Sequence, residues 1–153
     1  MDWVLLAYRM PREPSTPRIA VWRKLRRLGA VQLVDGFVTL PADPATVEAF
    51  DWLADEVIEA GGEAWTWRAH PGSKRQQKQL RDRLTAAVVG EYRALIADAE
   101  EAADDPTART LGRLRRELRA IEARDRCSAP ERDRARAAVH AVATRLDAHE
   151  AAQ

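Results

Sequence analysis

Over its first seventy residues the chain switches repeatedly between two hydrophobic periods, and the order of the switches leaves few folds open. Residues 3–8, WVLLAY, form a continuous apolar run of the kind a strand buried on both faces carries. The PREPSTP segment that follows continues neither strand nor helix and reads as a loop. Thr16 followed by Pro17 predicts a helix start, with a capping hydroxyl and a proline at the first helical position. On that helix Val21, Trp22, Leu25 and Leu28 share one face, and Gly29 stops it. AVQLV, DG and FVTL predict a tight hairpin in which Asp35-Gly36 supplies the positive φ of the turn. PADPATVEAFDWLADEVIEAGG reads as a second helix, with Val47, Phe50, Leu53, Ala54, Val57 and Ile58 as its core stripe. EAWTWRA alternates Ala64 and Thr66 with Trp65 and Trp67 and predicts a fourth strand. The order β-α-β-β-α-β predicts an α+β, ferredoxin-like domain over residues 1–70, with an antiparallel sheet and both helices on one face. The other face then needs cover, from a homodimer partner or from the C-terminal helices.

Past His70-Pro71-Gly72 the pattern changes. Residues 71–153 read as an α-helical extension of three helices. The first is expected over 73–103, with Leu80, Leu84, Val88, Leu95 and Ala99 along one stripe, and Asp104-Asp105-Pro106 breaks it. The second is expected over 107–126 on Leu111, Leu114, Leu118 and Ile121, and the third from Pro130 on Ala135, Val139, Val142 and Leu146. The 3-4 spacing suits a helical hairpin. Gly90 and Gly112 weaken their helices locally.

Several function classes find no support. A chain of 153 residues buries roughly 70% of its unfolded surface and needs no covalent or metal staple. Its one cysteine, Cys127, has no internal partner, which points to a reducing cytoplasm. No apolar run approaches the roughly 18 residues of a membrane span, and WVLLAY is too short for a signal peptide. There is no glycine-rich phosphate loop, and His70, His140 and His149 have no neighbours at metal-ligand spacing. No catalytic constellation, metal site or cofactor motif emerges.

The charge is segregated. The formal net charge is +1, yet residues 9–27 carry seven basic residues against one acidic, and residues 43–63 carry seven acidic and no basic ones. Such separation creates local fields that the net charge hides. On the helix from Pro17, Arg23 and Arg27 lie one turn apart opposite the apolar side, flanked by Lys24 and Arg26. Like charges four apart cost a helix some tenths of a kcal/mol each, and nothing acidic is interleaved. Bare cations on a short helix suit phosphate contact, and Arg9, Arg12 and Arg18 extend the same patch. Lys74, Arg75 and Lys78 form a second group that either flanks this patch or solvates a helix start. Asp51, Asp55, Glu56 and Glu59 read as a solvated acidic face, or as a face for the basic helix of a neighbouring subunit. Residues 109–136 hold ten basic and five acidic residues, a balance that pairing across a helical hairpin would largely absorb.

The segment from WVLLAY to EAWTW closely resembles the N-terminal domain of the ChrB family of chromate-resistance regulatory proteins. Its pattern PREPS-x-x-R-x-x-x-W-R-x-L-x-x-L-G is carried by Pro11 to Ser15, Arg18, Trp22, Arg23, Leu25, Leu28 and Gly29. The resemblance implies a transcriptional regulator that binds promoter DNA and releases it when chromate is present. It implies DNA contact by basic residues at Arg18, Arg23, Lys24, Arg26 and Arg27. Full-length members carry a further domain linked to the chromate response; this chain stops at Gln153, so a sensor on a separate polypeptide is expected. A fold-level similarity also runs to the central domain of the PaaX repressor and to small CRISPR-associated adaptation nucleases. Those nucleases keep a metal-binding aspartate at the end of the first strand, where this chain has Arg9, which cannot ligate magnesium. A metal-dependent nuclease of related fold and a non-catalytic protein-interaction scaffold are the alternatives.

Overall fold

A computed structural model describes residues 1–153 as two units, Met1–Leu84 and Thr85–Gln153. In the first, β1 (Trp3–Arg9), α1 (Ser15–Leu28), β2 (Val31–Val34), β3 (Phe37–Pro41), α2 (Pro44–Glu59) and β4 (Glu63–Ala69) follow one another. The four strands form one antiparallel sheet in the order β2-β3-β1-β4. The class is α+β.

Register sorts the side chains onto two faces. Leu6 lies opposite Val38 on one side and Thr66 on the other, while Leu5 lies opposite Thr39 and Trp67. Because side chains alternate along a strand, Val4, Leu6, Val38 and Leu40 share one face, and Trp3, Leu5, Thr39, Trp65 and Trp67 the other. The first face is sealed by Val21 and Leu25 of α1 and by Phe50, Leu53 and Val57 of α2, all buried. On the second face Trp3 and Thr39 are buried, whereas Trp65 and Trp67, on the edge strand, are 66% and 59% exposed. Its cover comes from the first turns of α3 (Lys74–Ala102), whose Gln76, Gln79, Leu80 and Arg83 stand over Trp3, Leu5 and Thr39. The Arg83 guanidinium donates to the Gln32 carbonyl.

Local chemistry sets the element ends. Asp43 and Thr46 cap α2 reciprocally: the Asp43 carboxylate accepts from the Thr46 N–H at 2.8 Å, and the Thr46 hydroxyl accepts from the Asp43 N–H at 2.9 Å. Gly29 closes α1 in the left-handed conformation, φ 75°. The start of α1 differs from expectation. The helix begins at Ser15 with Pro14 as its cap, and no side chain caps it. Pro14 is already extended at φ −70° and ψ 154°. Pro17 falls in the first turn, where a missing N–H leaves no helical bond unmade. Two residues assigned to core stripes are exposed: Trp22 at 49% and Ile58 at 54%. Each lies on the edge of its helix's buried arc rather than within it.

Gly36 fixes the hairpin to the central strand. It has φ +72°, and its carbonyl accepts from the Tyr8 N–H at 2.7 Å. A Cβ there would lie 2.3 Å from the Tyr8 carbonyl oxygen.

The second unit comprises the rest of α3 with α4 (Ala108–Arg124) and α5 (Glu131–Ala151). Its core joins Tyr92, Leu95 and Ala99 of α3, Leu111, Leu114 and Ile121 of α4, and Ala135, Val139 and Val142 of α5. Thr107 caps α4 by accepting from the Thr110 N–H at 3.1 Å. Asp125 organises the α4–α5 turn. Its carboxylate accepts from the Cys127 N–H at 3.2 Å, the Ala129 N–H at 3.0 Å and the Tyr92 hydroxyl at 3.0 Å. Burial first, then the hydrogen bond to Asp125, keep the Tyr92 hydroxyl protonated well above the ordinary tyrosine range.

Two stability outcomes follow from this packing. Gly36→Ala should lose about 2 kcal/mol or more in urea unfolding, since it meets both the left-handed backbone and the Tyr8 carbonyl. Tyr92→Phe should lose about 1.5 kcal/mol at neutral pH. The raised tyrosine pKa means the unfolded chain ionises first, so this contribution is intact below pH 10 and declines as pH rises above it. Unfolding compared at about pH 8 and about pH 11 should therefore show the wild type losing more stability than Tyr92→Phe.

Candidate nucleic-acid interface

The cations of α1 leave the helix in different directions, because successive residues turn by about 100°. Val21 and Leu25 define the buried side. Arg23 and Arg27 point away from it, one turn apart and exposed. Arg18 and Trp22 sit on the flank facing the strand ends, where they line an open groove with Tyr8, Arg9, Gln32 and Asp35. Lys24 sits on the opposite flank, toward α2. Its ammonium lies 2.7 Å from the Glu56 carboxylate, so Lys24 is not part of an unpaired ridge. The Arg26 guanidinium stacks over the Trp22 ring, 4.9 Å from its centroid. This contact explains why an exposed tryptophan stands on this helix: the ring holds an arginine at the surface.

The charge has a partial structural origin. Arg26 and Arg27 occupy the last turn of α1, where the helix dipole favours cations. Arg18 and Arg23 have no such compensation, and neither they nor Arg27 has a carboxylate partner. Arg9 emerges from the end of β1 and lies 3.5 Å from Glu63, with both side chains mostly in water, an arrangement that constrains little. Arg12 is exposed in the loop before α1. Burial, and then the charge of Asp35, raise the pKa of Tyr8 at the groove floor.

Lys74, Arg75 and Lys78 stand elsewhere. They occupy the first turns of α3, on the opposite side of the sheet from α1, so the two basic groups do not form one patch. Lys78 is paired with Asp82 at 2.8 Å. Lys74 and Arg75 lie at a helix N-terminus, where the dipole disfavours cations.

Beside α1, helix α2 presents Glu48, Asp51, Asp55 and Glu59 to solvent. The two helices therefore form a layer that is cationic on one side and anionic on the other, joined at the seam by Lys24–Glu56. At that seam the acidic helix already pairs with the basic helix of its own chain. Only the side of α1 turned away from α2 is open to a polyanion without passing these carboxylates.

In the second unit, pairing absorbs part of the arginine excess. Arg113 pairs with Glu117 at 2.8 Å, Arg136 with Glu122 at 2.6 Å, Arg93 with Glu131 at 3.3 Å, and Arg124 with Glu91. Arg109, Arg115, Arg116 and Arg119 of α4 remain exposed without ion pairs. A count of charges overlooks these four; mapping partners along the helix faces isolates them. No cluster of histidine, cysteine, aspartate or glutamate is arranged to hold a metal ion. No helix is long and apolar enough to cross a membrane.

The family model described as Protein ChrB, N-terminal, matches residues 18–105. Its span runs from Arg18 through α1, the hairpin, α2, β4 and α3, and stops before α4; Pro11 to Ser15 lie ahead of it. Protein ChrB of Cupriavidus metallidurans is 29% identical over 119 residues, covering 72% of this chain and 37% of that protein. The similarity thus spans little more than a third of that relative's length. No solved structure matches. With more than half of its residues inside the family model, the chain belongs to the ChrB N-terminal family.

Proposed function

We propose that this chain is the DNA-contacting part of a regulator associated with chromate resistance. In this reading Arg18, Arg23, Arg26 and Arg27 meet the phosphates. One observation carries the proposal: these four cations are exposed without carboxylate partners, on a helix whose open side faces away from the acids of α2. Lysines and arginines on such a surface release condensed counterions when they meet phosphate, which drives association without base contacts. The Trp22 ring holds the Arg26 guanidinium and adds a flat surface beside the sugar–phosphate backbone. Membership of the ChrB family, whose model covers α1 from Arg18 onward and ends before α4, supports assigning the contact to α1. The association with chromate resistance comes from the family.

Fluorescence anisotropy with duplex DNA from the region upstream of the gene tests the assignment. Four phosphate contacts predict a slope of about −3.6 for log affinity against log salt. Arg23→Glu with Arg27→Glu should weaken binding at least about tenfold near 0.1 M salt and flatten that slope by about 2. Lys24→Gln should change much less, because Glu56 already holds that ammonium. A double reversal that binds like the wild type removes α1 from the interface, and no binding at any salt removes the function.

The acidic neighbour supplies a second outcome of opposite sign. Asp51→Asn with Asp55→Asn removes two charges beside the approach path and should tighten DNA binding by about two- to fivefold at low salt. The gain should vanish as salt rises. Unchanged affinity at low salt would show that the α2 carboxylates lie beyond electrostatic reach of the bound DNA.

A further inference from the structure

β4 is an edge strand with an open outer side. The sheet runs β2-β3-β1-β4, so β4 pairs with β1 alone. The direction of its free hydrogen-bonding groups follows from β1. The Tyr8 N–H donates to the Gly36 carbonyl at 2.7 Å, and the Asp2 carbonyl accepts from the Ala42 N–H at 2.9 Å, so even-numbered residues bond toward β3. Successive residues alternate, so Trp3, Leu5, Ala7 and Arg9 bond toward β4, to Ala69, Trp67, Trp65 and Glu63. Ala64, Thr66 and Arg68 therefore turn their N–H and C=O groups outward, where no main-chain group of this chain meets them. Proteins blunt such an edge with proline, lysine, a bulge or a covering segment. β4 contains no proline or lysine, and its register with β1 is unbroken from Glu63 to Ala69. Trp65 and Trp67 stand largely exposed on the face that α3 only partly covers.

The strand is complementary to itself. With a second copy antiparallel about Thr66, Ala64 lies opposite the partner's Arg68, Thr66 opposite the partner's Thr66, and Arg68 opposite the partner's Ala64. All three are then hydrogen-bonded pairs, each exchanging two bonds. This is the one twofold register that uses the whole of Glu63–Ala69. On one face it sets Trp65 opposite the partner's Trp67, and on the other it makes a threonine pair, both favourable across antiparallel strands. No like charges are opposed, because Glu63 and Arg68 each meet an alanine.

The helix face agrees. Glu56 turns toward Lys24 of α1, so Ile58, about 200° further round α2, stands on the flank beside β4, where it is 54% exposed. Arg68 is exposed on the same sheet face as α2 and has no ion pair. Pairing brings the partner's Arg68 toward Ile58 and the acidic surface of α2, a complement that Arg68 lacks in its own chain. We propose that the open edge of β4 is a dimer interface, occupied by β4 of a second copy in twofold antiparallel register about Thr66. The four indoles supply roughly 600 Å² of the about 1,200–2,000 Å² that a stable interface buries, which sets the expectation of reversible, micromolar association. The interface lies apart from the cations of α1 and does not rest on DNA binding.

The test is sedimentation velocity of the full chain, without nucleic acid, from about 1 to about 200 µM. The mass should rise from 17.2 kDa to twice that value and stop, because a twofold pair closes. Thr66→Pro removes the central outward N–H without touching a bond to β1, so it should fold and stay monomeric. Trp65→Ser with Trp67→Ser should weaken association at least about tenfold. Cysteine cross-linking in a Cys127→Ser background reads the register. Thr66→Cys should give a disulfide-linked dimer, since the Cα atoms of such a pair lie about 5.5 Å apart. Arg68→Cys, at least about 13 Å from its counterpart, should not, and neither should Val34→Cys on the far edge of the sheet. The proposal is overturned by a monomer at the highest concentration, by a mass growing beyond the dimer, or by Thr66→Pro associating like the wild type. It is equally overturned if Arg68→Cys or Val34→Cys cross-links as readily as Thr66→Cys, a comparison that decides even if Thr66→Pro fails to fold.

Discussion

The first unit depends on β1 being hydrogen-bonded along both edges. β3 pairs with it on one side and β4 on the other, and both of its faces are packed. Backbone donors and acceptors buried this way must all be used, so the strand has little freedom in register. That register sends Val4 and Leu6 toward α1 and α2, and Trp3 and Leu5 toward the first turns of α3. It also sets the strand's exit. The Tyr8 N–H bonds to the Gly36 carbonyl, which leaves Arg9 as the first residue beyond the packed core and places it at the groove with Arg18. A one-residue slip would exchange the two faces and dismantle the packing on both of them.

Electrostatics then divides the helix layer. α1 and α2 carry opposite charge side by side, and Lys24–Glu56 neutralises the line where they meet. What remains of the positive charge is displaced outward and toward the strand ends. Part of it is stabilised by the end of the helix itself, through Arg26 and Arg27. Arg18 and Arg23 have no carboxylate partner in this chain, and the proposed DNA contact rests on that uncompensated charge. The arginines of α4 share this property in the second unit, which makes them the natural rival surface.

Much of the architecture was legible because it rests on local rules. Period switches marked the strands and helices, Asp35-Gly36 marked the hairpin, and Gly29 marked the end of α1, where positive φ was required. The start of α1 was misplaced because a capping hydroxyl competed with an alternative that periodicity does not see, an extended proline cap at Pro14. Trp22 read as core because its spacing is apolar, yet its ring serves Arg26 at the surface. Partners far apart in sequence were not legible at all. Lys24 and Glu56 are 32 positions apart, and neither residue announces the other. The separation of Lys74 and Arg75 from α1 follows from which sheet face α3 covers, a property of three-dimensional packing.

The central claim is that α1 meets DNA through the side away from α2. Nitrogen-15 NMR of arginine Nε–H and tryptophan indole groups during titration with a short duplex tests it directly. The account predicts that Arg18, Arg23, Arg26, Arg27 and the Trp22 indole shift first and together, while the Trp3 indole and the arginines of α4 stay in place. Shifts confined to Arg109, Arg115, Arg116 and Arg119, with α1 silent, would contradict it.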